Sequence, residues 1–355
     1  MYDRNIGMIS KKAMNNQNQV PKEWYGKRYY SLDAYCKTVY HEKLYKIAID
    51  AGLTCPNRDG KIDTRGCIFC SAGGSGDFAV SGKVHPSVSE QLDAGKALFR
   101  DKPVGTGWIA YFQAYTNTYG PPDYLYEIFR NALSHPDVRG ISIATRPDCL
   151  ETDVLSLLQM LLTEFPDKFI WVELGLQTMH EKTATWIRRG YPLSVYEEAV
   201  TNLVNLSIPV ITHLILGLPG EQKEDFLTTV SYLNHLYERL ESLITDAGRI
   251  FPMFGVKLQL LHILQHTDLD LLYQQNQISV LSKEEYIDWL ISGIEKLSPE
   301  IVLHRITGDG PKAILTAPLW SLDKRDVLNS IAHQLKVRDT WQGKEYHDST
   351  YKCTL

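Results

Sequence analysis

Leu53-Thr54-Cys55-Pro56-Asn57-Arg58-Asp59-Gly60-Lys61-Ile62-Asp63-Thr64-Arg65-Gly66-Cys67-Ile68-Phe69-Cys70-Ser71-Ala72-Gly73-Gly74-Ser75-Gly76 is the stretch around which the rest of this chain is arranged. It carries three of the six cysteines, spaced Cys-x11-Cys-x2-Cys, just after an apolar run, Leu44–Ile49, that reads as a strand. The Gly, Asp and Asn around them turn easily and build no core, so the cysteines are there for what sulfur binds. Two readings are open. A structural zinc site wants four ligands, usually two Cys-x2-Cys pairs or one pair with two histidines. This loop has one pair and one outlier, with His85 the only nearby candidate for a fourth ligand. A [4Fe–4S] cluster also suits thiolates, and three are enough when one iron is left open for a small molecule. Phe69, between the paired cysteines, offers a flat apolar face beside it.

Outward from the loop, apolar runs at 44–49, 108–113, 141–145, 169–174, 210–216, 256–261 and 301–304 alternate with helical patterns. The helical patterns lie at 89–99, 124–133, 153–165, 195–206, 224–240 and 283–297, with apolar residues at three- and four-residue steps. Strand then helix, six times over, predicts a parallel sheet with crossover helices. The expected fold is therefore α/β, a partial (β/α)6 TIM-like barrel open on one side. It spans residues 43–310, after a basic, tyrosine-rich extension at 1–42 and before a second extension at 311–355. Such barrels carry their chemistry on loops leaving the carboxyl ends of strands, which is where the cysteine loop stands.

A cysteine triplet after the first strand, with an aromatic before the last cysteine, resembles the radical S-adenosylmethionine (SAM) superfamily. The usual spacing there is Cys-x3-Cys-x2-Cys. The wider gap, with Cys55-Pro56-Asn57-Arg58-Asp59-Gly60 and Gly74-Ser75-Gly76-Asp77-Phe78, is similar to a smaller branch, the YhcC/YtqA-like proteins related to the catalytic subunit of Elongator. The resemblance runs from about Tyr29 to beyond Asp309. It implies a [4Fe–4S] cluster on Cys55, Cys67 and Cys70, with SAM on the open iron through its amino and carboxyl groups. It further implies an electron donor such as flavodoxin or ferredoxin, and cleavage of SAM to methionine and a 5′-deoxyadenosyl radical that abstracts hydrogen from the substrate.

The other strand ends carry further candidates, some read from their own chemistry and some implied by the same resemblance. Gln113, Thr116 and Asn117 occupy the place of the glycine-rich stretch that receives the SAM amino group; a polar turn is the alternative. Arg146 has the fork that matches a carboxylate. Cys149 is a candidate substrate-side thiol or hydrogen-atom donor, against the ordinary reading of a lone cysteine as a small buried residue. Val172-Glu173-Leu174-Gly175-Leu176-Gln177-Thr178 resembles the branch's Glu-x-Gly-x-Gln segment, which puts Glu173 and Gln177 beside the ribose and methionine parts of SAM. Arg188-Arg189-Gly190-Tyr191 resembles its Arg-Gly-aromatic element, with Arg189 meeting the SAM carboxylate or else ending a surface helix. Gly217-Leu218-Pro219-Gly220-Glu221 shapes the adenine side, and His213, mid-strand, reads as a satisfied core histidine.

Composition bounds the rest. With 44% hydrophobic and 22% charged residues the chain is that of a globular protein. No apolar run approaches the length that spans a bilayer, and the N-terminus lacks the apolar core of a signal peptide, so a cytoplasmic location is expected. Six cysteines in 355 residues make no disulfide framework. A net charge of −5 argues against coating nucleic acid by bulk electrostatics. Cations are nonetheless concentrated among tyrosines near the N-terminus: Lys22, Lys27, Arg28, Lys37, Lys43 and Lys46 beside Trp24, Tyr25, Tyr29, Tyr30, Tyr35, Tyr40 and Tyr45. That pattern either stacks on unpaired bases or packs on the barrel. The branch resemblance implies tRNA as substrate, at the 5-aminomethyl-type substituent of the wobble uridine. A small metabolite is the alternative substrate, and a zinc-stabilised RNA-binding protein without catalysis is the reading from another class.

Overall fold

A computed structural model describes residues 20–74, 76–79, 87–99, 107–243 and 253–346. His85, the zinc-ligand candidate, and Cys353 lie outside the described residues. In chain order the elements are α1 (Leu32–Val39), β1 (Leu44–Ile49), α2 (Val88–Ala97), β2 (Gly107–Phe112), α3 (Pro122–Ser134), β3 (Val138–Thr145), α4 (Thr152–Glu164) and β4 (Phe169–Gln177). There follow α5 (Glu181–Trp186), α6 (Leu193–Asn205), β5 (Val210–Leu216), α7 (Lys223–Leu243), β6 (Phe254–Leu260) and β7 (Ile263–Leu264). The chain continues through α8 (Asp268–Gln274), α9 (Lys283–Lys296), β8 (Val302–Arg305), β9 (Leu315–Ala317) and α10 (Lys324–Val337).

Seven strands form one parallel sheet in the order β1-β2-β3-β4-β5-β6-β8, a curled partial barrel of the expected type. A strand covered on both faces has no reason to alternate polar and apolar residues, which is why these segments read as apolar runs. The residues of one face, such as Ile47, Phe112, Ile143, Val172 and Leu258, join the helices' inward faces in the main core. Sequence punctuation sets the helix starts: Ser87 with Glu90 and Ser282 with Glu285 form reciprocal capping boxes on α2 and α9.

The other face lines the barrel interior in layers. At the strands' amino ends, Ile109, Trp171, Ile211 and Val302 meet Trp24, Tyr30, Ala34 and Tyr35 in a second apolar cluster. The N-terminal extension thus plugs this mouth. Trp24 stacks on Tyr30, and Tyr35 packs on Trp171 with ring centres 5.9 Å apart. The backbone N–H of Leu303 donates to Tyr30 O at 2.7 Å. The buried Gln342 amide then ties both extensions together, accepting from Tyr30 N and donating to Ser298 O and Ile301 O. Three of the aromatics considered for base stacking, Trp24, Tyr30 and Tyr35, are therefore buried inside the protein, at the mouth opposite the cysteine loop. Of the cations beside them, Lys27 donates to Ser31 Oγ, Arg28 pairs with Asp339, Lys37 with Asp33, and Lys46 points into the barrel. Packing on the barrel accounts for those three rings, while Tyr25 is 55% exposed.

Candidate active site at the carboxyl ends of the strands

The eleven-residue gap between the first two cysteines closes on itself. Gly66 N donates to Asn57 O at 2.7 Å and Ile62 N to Pro56 O at 2.9 Å, so most of residues 59–65 loop outward, exposed, while Cys67 returns beside Cys55. Gly66 sits at φ +76, with the Arg58 side chain so close that an added Cβ would lie 3.0 Å from its Nε. Arg58 Nη2 donates to the carbonyls of Cys70, at 2.9 Å, and Ser71. Asn57 Nδ2 donates to Arg188 O at 2.7 Å and lies 3.5 Å from Cys67 Sγ. Ile68 N donates to Ile187 O, pinning the loop to the end of α5. At its far end Gly74, at φ +57, packs under the Tyr115 ring, where no side chain would fit.

Cys55, Cys67 and Cys70 are free, half-buried and on the wall of one cavity. Burial pushes the Cys67 thiol up to about 12, and the neighbouring Cys70 and Cys55 add to it; burial also lifts Cys70, against the opposing charge of Arg58. Clustered thiols of this kind resist carrying charge alone and take it up when a cationic metal group arrives. No three His, Cys, Asp or Glu side chains among the described residues are disposed to hold a single metal ion. Two buried oxygens nearby have no hydrogen-bond partner, Asn57 Oδ1 and Gln177 Oε1, as expected where a ligand completes the site.

The cavity also gathers Phe69, Gln113, Thr116, Arg146, Glu173, Gln177 and Arg189. It does not include Asn117 or Cys149. Asn117 is fully buried, its amide donating to Phe112 O and Ala144 O, so it braces β2 against β3. Cys149 lies off the cavity, 6% exposed, its thiol pushed up to about 12 chiefly by burial. Its surroundings are those of a small buried residue.

Among the residues gathered, the two arginines are already engaged. Arg146 forks onto Asp148 at 2.9 and 2.8 Å. Arg189, 2% exposed, donates to Tyr191 O, Leu176 O, Thr178 O and Glu181, so it clamps the end of β4 and does not extend a free arm. Gln177 owes its position to a bulge in the β4–β5 pairing at Gly175, which puts it at φ +67. An added Cβ on Gly175 would sit 2.7 Å from Gln177 Nε2, so that glycine makes the room.

Glu173, wholly buried, is the centre of a polar layer beneath. Its carboxylate receives Lys46 Nζ, Lys257 Nζ and Ser142 Oγ and lies 2.7 Å from His213 Nε2. Burial opposes its ionisation, but Lys257, Lys46 and His213 outweigh that and hold it well below the usual carboxylate range. Burial brings His213 down to about 4, helped by Lys257. The satisfied histidine is thus a barrel-interior residue. Single-sequence reading missed Lys46, Lys257 and Arg305 here, because a lysine inside an apolar run gives no sign of which face it takes. Arg58 was visible only as a loop residue.

Comparison with known proteins agrees with this geometry. Residues 64–233 match the Radical SAM superfamily and residues 253–337 the Radical_SAM C-terminal domain. The YtqA protein of Bacillus subtilis is 38% identical over 93% of this chain and 97% of its own length. The YhcC protein of Escherichia coli K12 is 33% identical over 79% of this chain and 84% of its own. A shorter match, 24% identical over 49% of this chain and 29% of the other, is to a tRNA uridine(34) acetyltransferase of Methanocaldococcus jannaschii. Among solved structures, the Elp3 protein of Methanocaldococcus infernus superposes with a TM-score of 0.59 at 14% identity, over 84% of this chain and 64% of that one. That last likeness is one of fold.

Proposed function

The chain belongs to the radical SAM superfamily, and from that premise we propose that it modifies the wobble uridine of tRNA, at a 5-aminomethyl-type substituent, in the cavity above β1 to β6. As a radical SAM enzyme it uses a [4Fe–4S] cluster, S-adenosylmethionine and an electron donor. Bound together, those cofactors supply a 5′-deoxyadenosyl radical that removes a hydrogen atom from the substrate.

The residues' tasks follow from their chemistry. Cys55, Cys67 and Cys70 are the thiolates for the cluster, and the observation that carries this reading is the closed neck that returns Cys67 to Cys55 across eleven intervening residues. Arg58 holds the backbone of the cysteine loop in place. The unpaired Gln177 oxygen is an acceptor awaiting a donor on SAM. Phe69, Ile187 and Ile215 turn apolar surface to the cavity and keep water from the reacting atoms. The support for tRNA is the partial similarity to a tRNA uridine(34) acetyltransferase. A folded RNA does not enter a cavity of about 270 Å³, so the reacting nucleotide is taken out of its stack.

Two measurements test the reading. Cys67→Ala is expected to lose both the iron–sulfur chromophore and 5′-deoxyadenosine formation; a variant that kept four irons and cleaved SAM would remove the ligand assignment. Nucleoside analysis of tRNA from cells lacking the protein is expected to show an altered wobble uridine. Unchanged tRNA would end the tRNA reading and leave a small metabolite as substrate, with the radical chemistry untouched.

A further inference from the structure

Beneath the cysteines, the barrel interior holds more positive charge than its own carboxylate can match. Lys46 from β1 and Lys257 from β6 both converge on Glu173, whose oxygens are further occupied by Ser142 and His213. Arg305, the last residue of β8, is the register partner of Lys257 and lines the same cavity. Its guanidinium has no hydrogen bond or ion pair among the described residues.

The remaining charged groups of the cavity do not supply the missing partner. Asp309 is held by Lys324 at 2.6 Å, and Asp77 accepts from Ser71 Oγ at 2.9 Å beside the cysteine loop. Arg146, Arg189 and Arg58 are engaged as described. His213 and His262 are each brought down to about 4, first by burial, and so are neutral near pH 7. Among the described residues Glu173 is thus bonded to Lys46 and Lys257, and no carboxylate is bonded to Arg305. Lys257 reports the excess: burial pulls it down to about 7, and Lys46 and Arg305 push the same way against Glu173. A half-buried guanidinium with no protein partner is open to an anion, and its planar fork fits carboxylate and phosphate oxygens.

We propose that this chamber is a subsite for an anionic group of the substrate, a carboxylate or a phosphate, received by Arg305 with Lys257 beside it. The subsite rests on reading the cavity as the chamber where substrate meets the radical. It adds that the part of the substrate reaching deepest is negatively charged, and it gives a role to the cation that ends β8 beside Lys257 of β6.

The test is anaerobic titration calorimetry on the cluster-loaded protein with inorganic phosphate in one arm and acetate in the other. Each is repeated with SAM bound to the oxidised cluster, where no cleavage occurs. One of the two anions is expected to bind at a single site with SAM present, and the anion preferred identifies the group. Arg305→Gln is expected to weaken that binding by about tenfold or more, and Arg305→Lys to recover most of it. Iron content and melting temperature, measured on every variant, establish that it is folded and loaded. Should Arg305→Gln fail to fold, Arg305→Lys against wild type at two salt concentrations decides. A charge-based subsite keeps its anion in Arg305→Lys and loses it as chloride rises. No binding of either anion to wild type, equal binding by Arg305→Gln, or binding abolished by SAM would each overturn the proposal. Failure of SAM cleavage would instead remove the proposed function, whatever the anion titration shows.

Discussion

Glu173 matches a family segment by sequence, yet the folded chain uses its carboxylate chiefly to neutralise two lysines, the buried Lys257 and the half-buried Lys46. Replacing it with Gln leaves Lys46 and Lys257 unpaired, which costs about 3–5 kcal/mol. The loss depends on pH with a definite sign. A carboxyl held below its ordinary 4.5 contributes stability that is fully present above that value and disappears as pH falls through the lower, folded value. Chemical denaturation should therefore find wild type well above Glu173→Gln at pH 7, with the gap closing only below about pH 4.5; a constant gap across that window contradicts the assignment. Cys149 makes the opposite point. It sits off the cavity, so Cys149→Ser is expected to leave SAM cleavage and product formation at wild-type levels in an anaerobic turnover assay.

Among the elements, the cysteine loop depends on backbone geometry more than on its thiols. Its neck, the Gly66 turn and the Arg58 clamp fix three ligands that are far apart in sequence. Arg58→Met keeps the bulk and removes the donors to the Cys70 and Ser71 carbonyls. Its expected phenotype is reduced iron per chain after anaerobic reconstitution, with a melting temperature near that of wild type. Full iron loading would show that the loop holds its shape without the clamp. The bulge at Gly175 is a comparable device in β4, since it turns Gln177 toward the cavity where a regular strand would continue the pleat. Gln177→Ala is accordingly expected to keep its cluster and bind SAM more weakly.

Over the whole molecule, the two mouths of the barrel divide the work. The amino-end mouth is sealed by the N-terminal extension, and Trp24→Ala, removing a 1% exposed ring, is expected to cost about 3–5 kcal/mol in chemical denaturation. Because that seal faces away from the cysteine loop, replacing Lys27, Arg28 and Lys37 by Gln together is expected to leave the salt dependence of anticodon stem-loop binding unchanged. A flatter slope would return this segment to the RNA-binding surface. The strand-helix alternation, the cysteine loop on the first strand and the turn chemistry of 53–76 were determined by sequence alone, because hydrophobic period and glycine placement are local properties. Local pattern also bounded α2, α3, α4, α6, α7 and α9 to within a few residues. It could not find α5, α8 or the β7–β9 pair, which are short and held by tertiary contacts. Nor could it choose a face for Lys46, Glu173, His213, Lys257 and Arg305, which come from five strands spread over 260 residues of chain. Only closing the sheet brings those charges into one layer, because a side chain's electrostatic partners are set by which strands lie beside it.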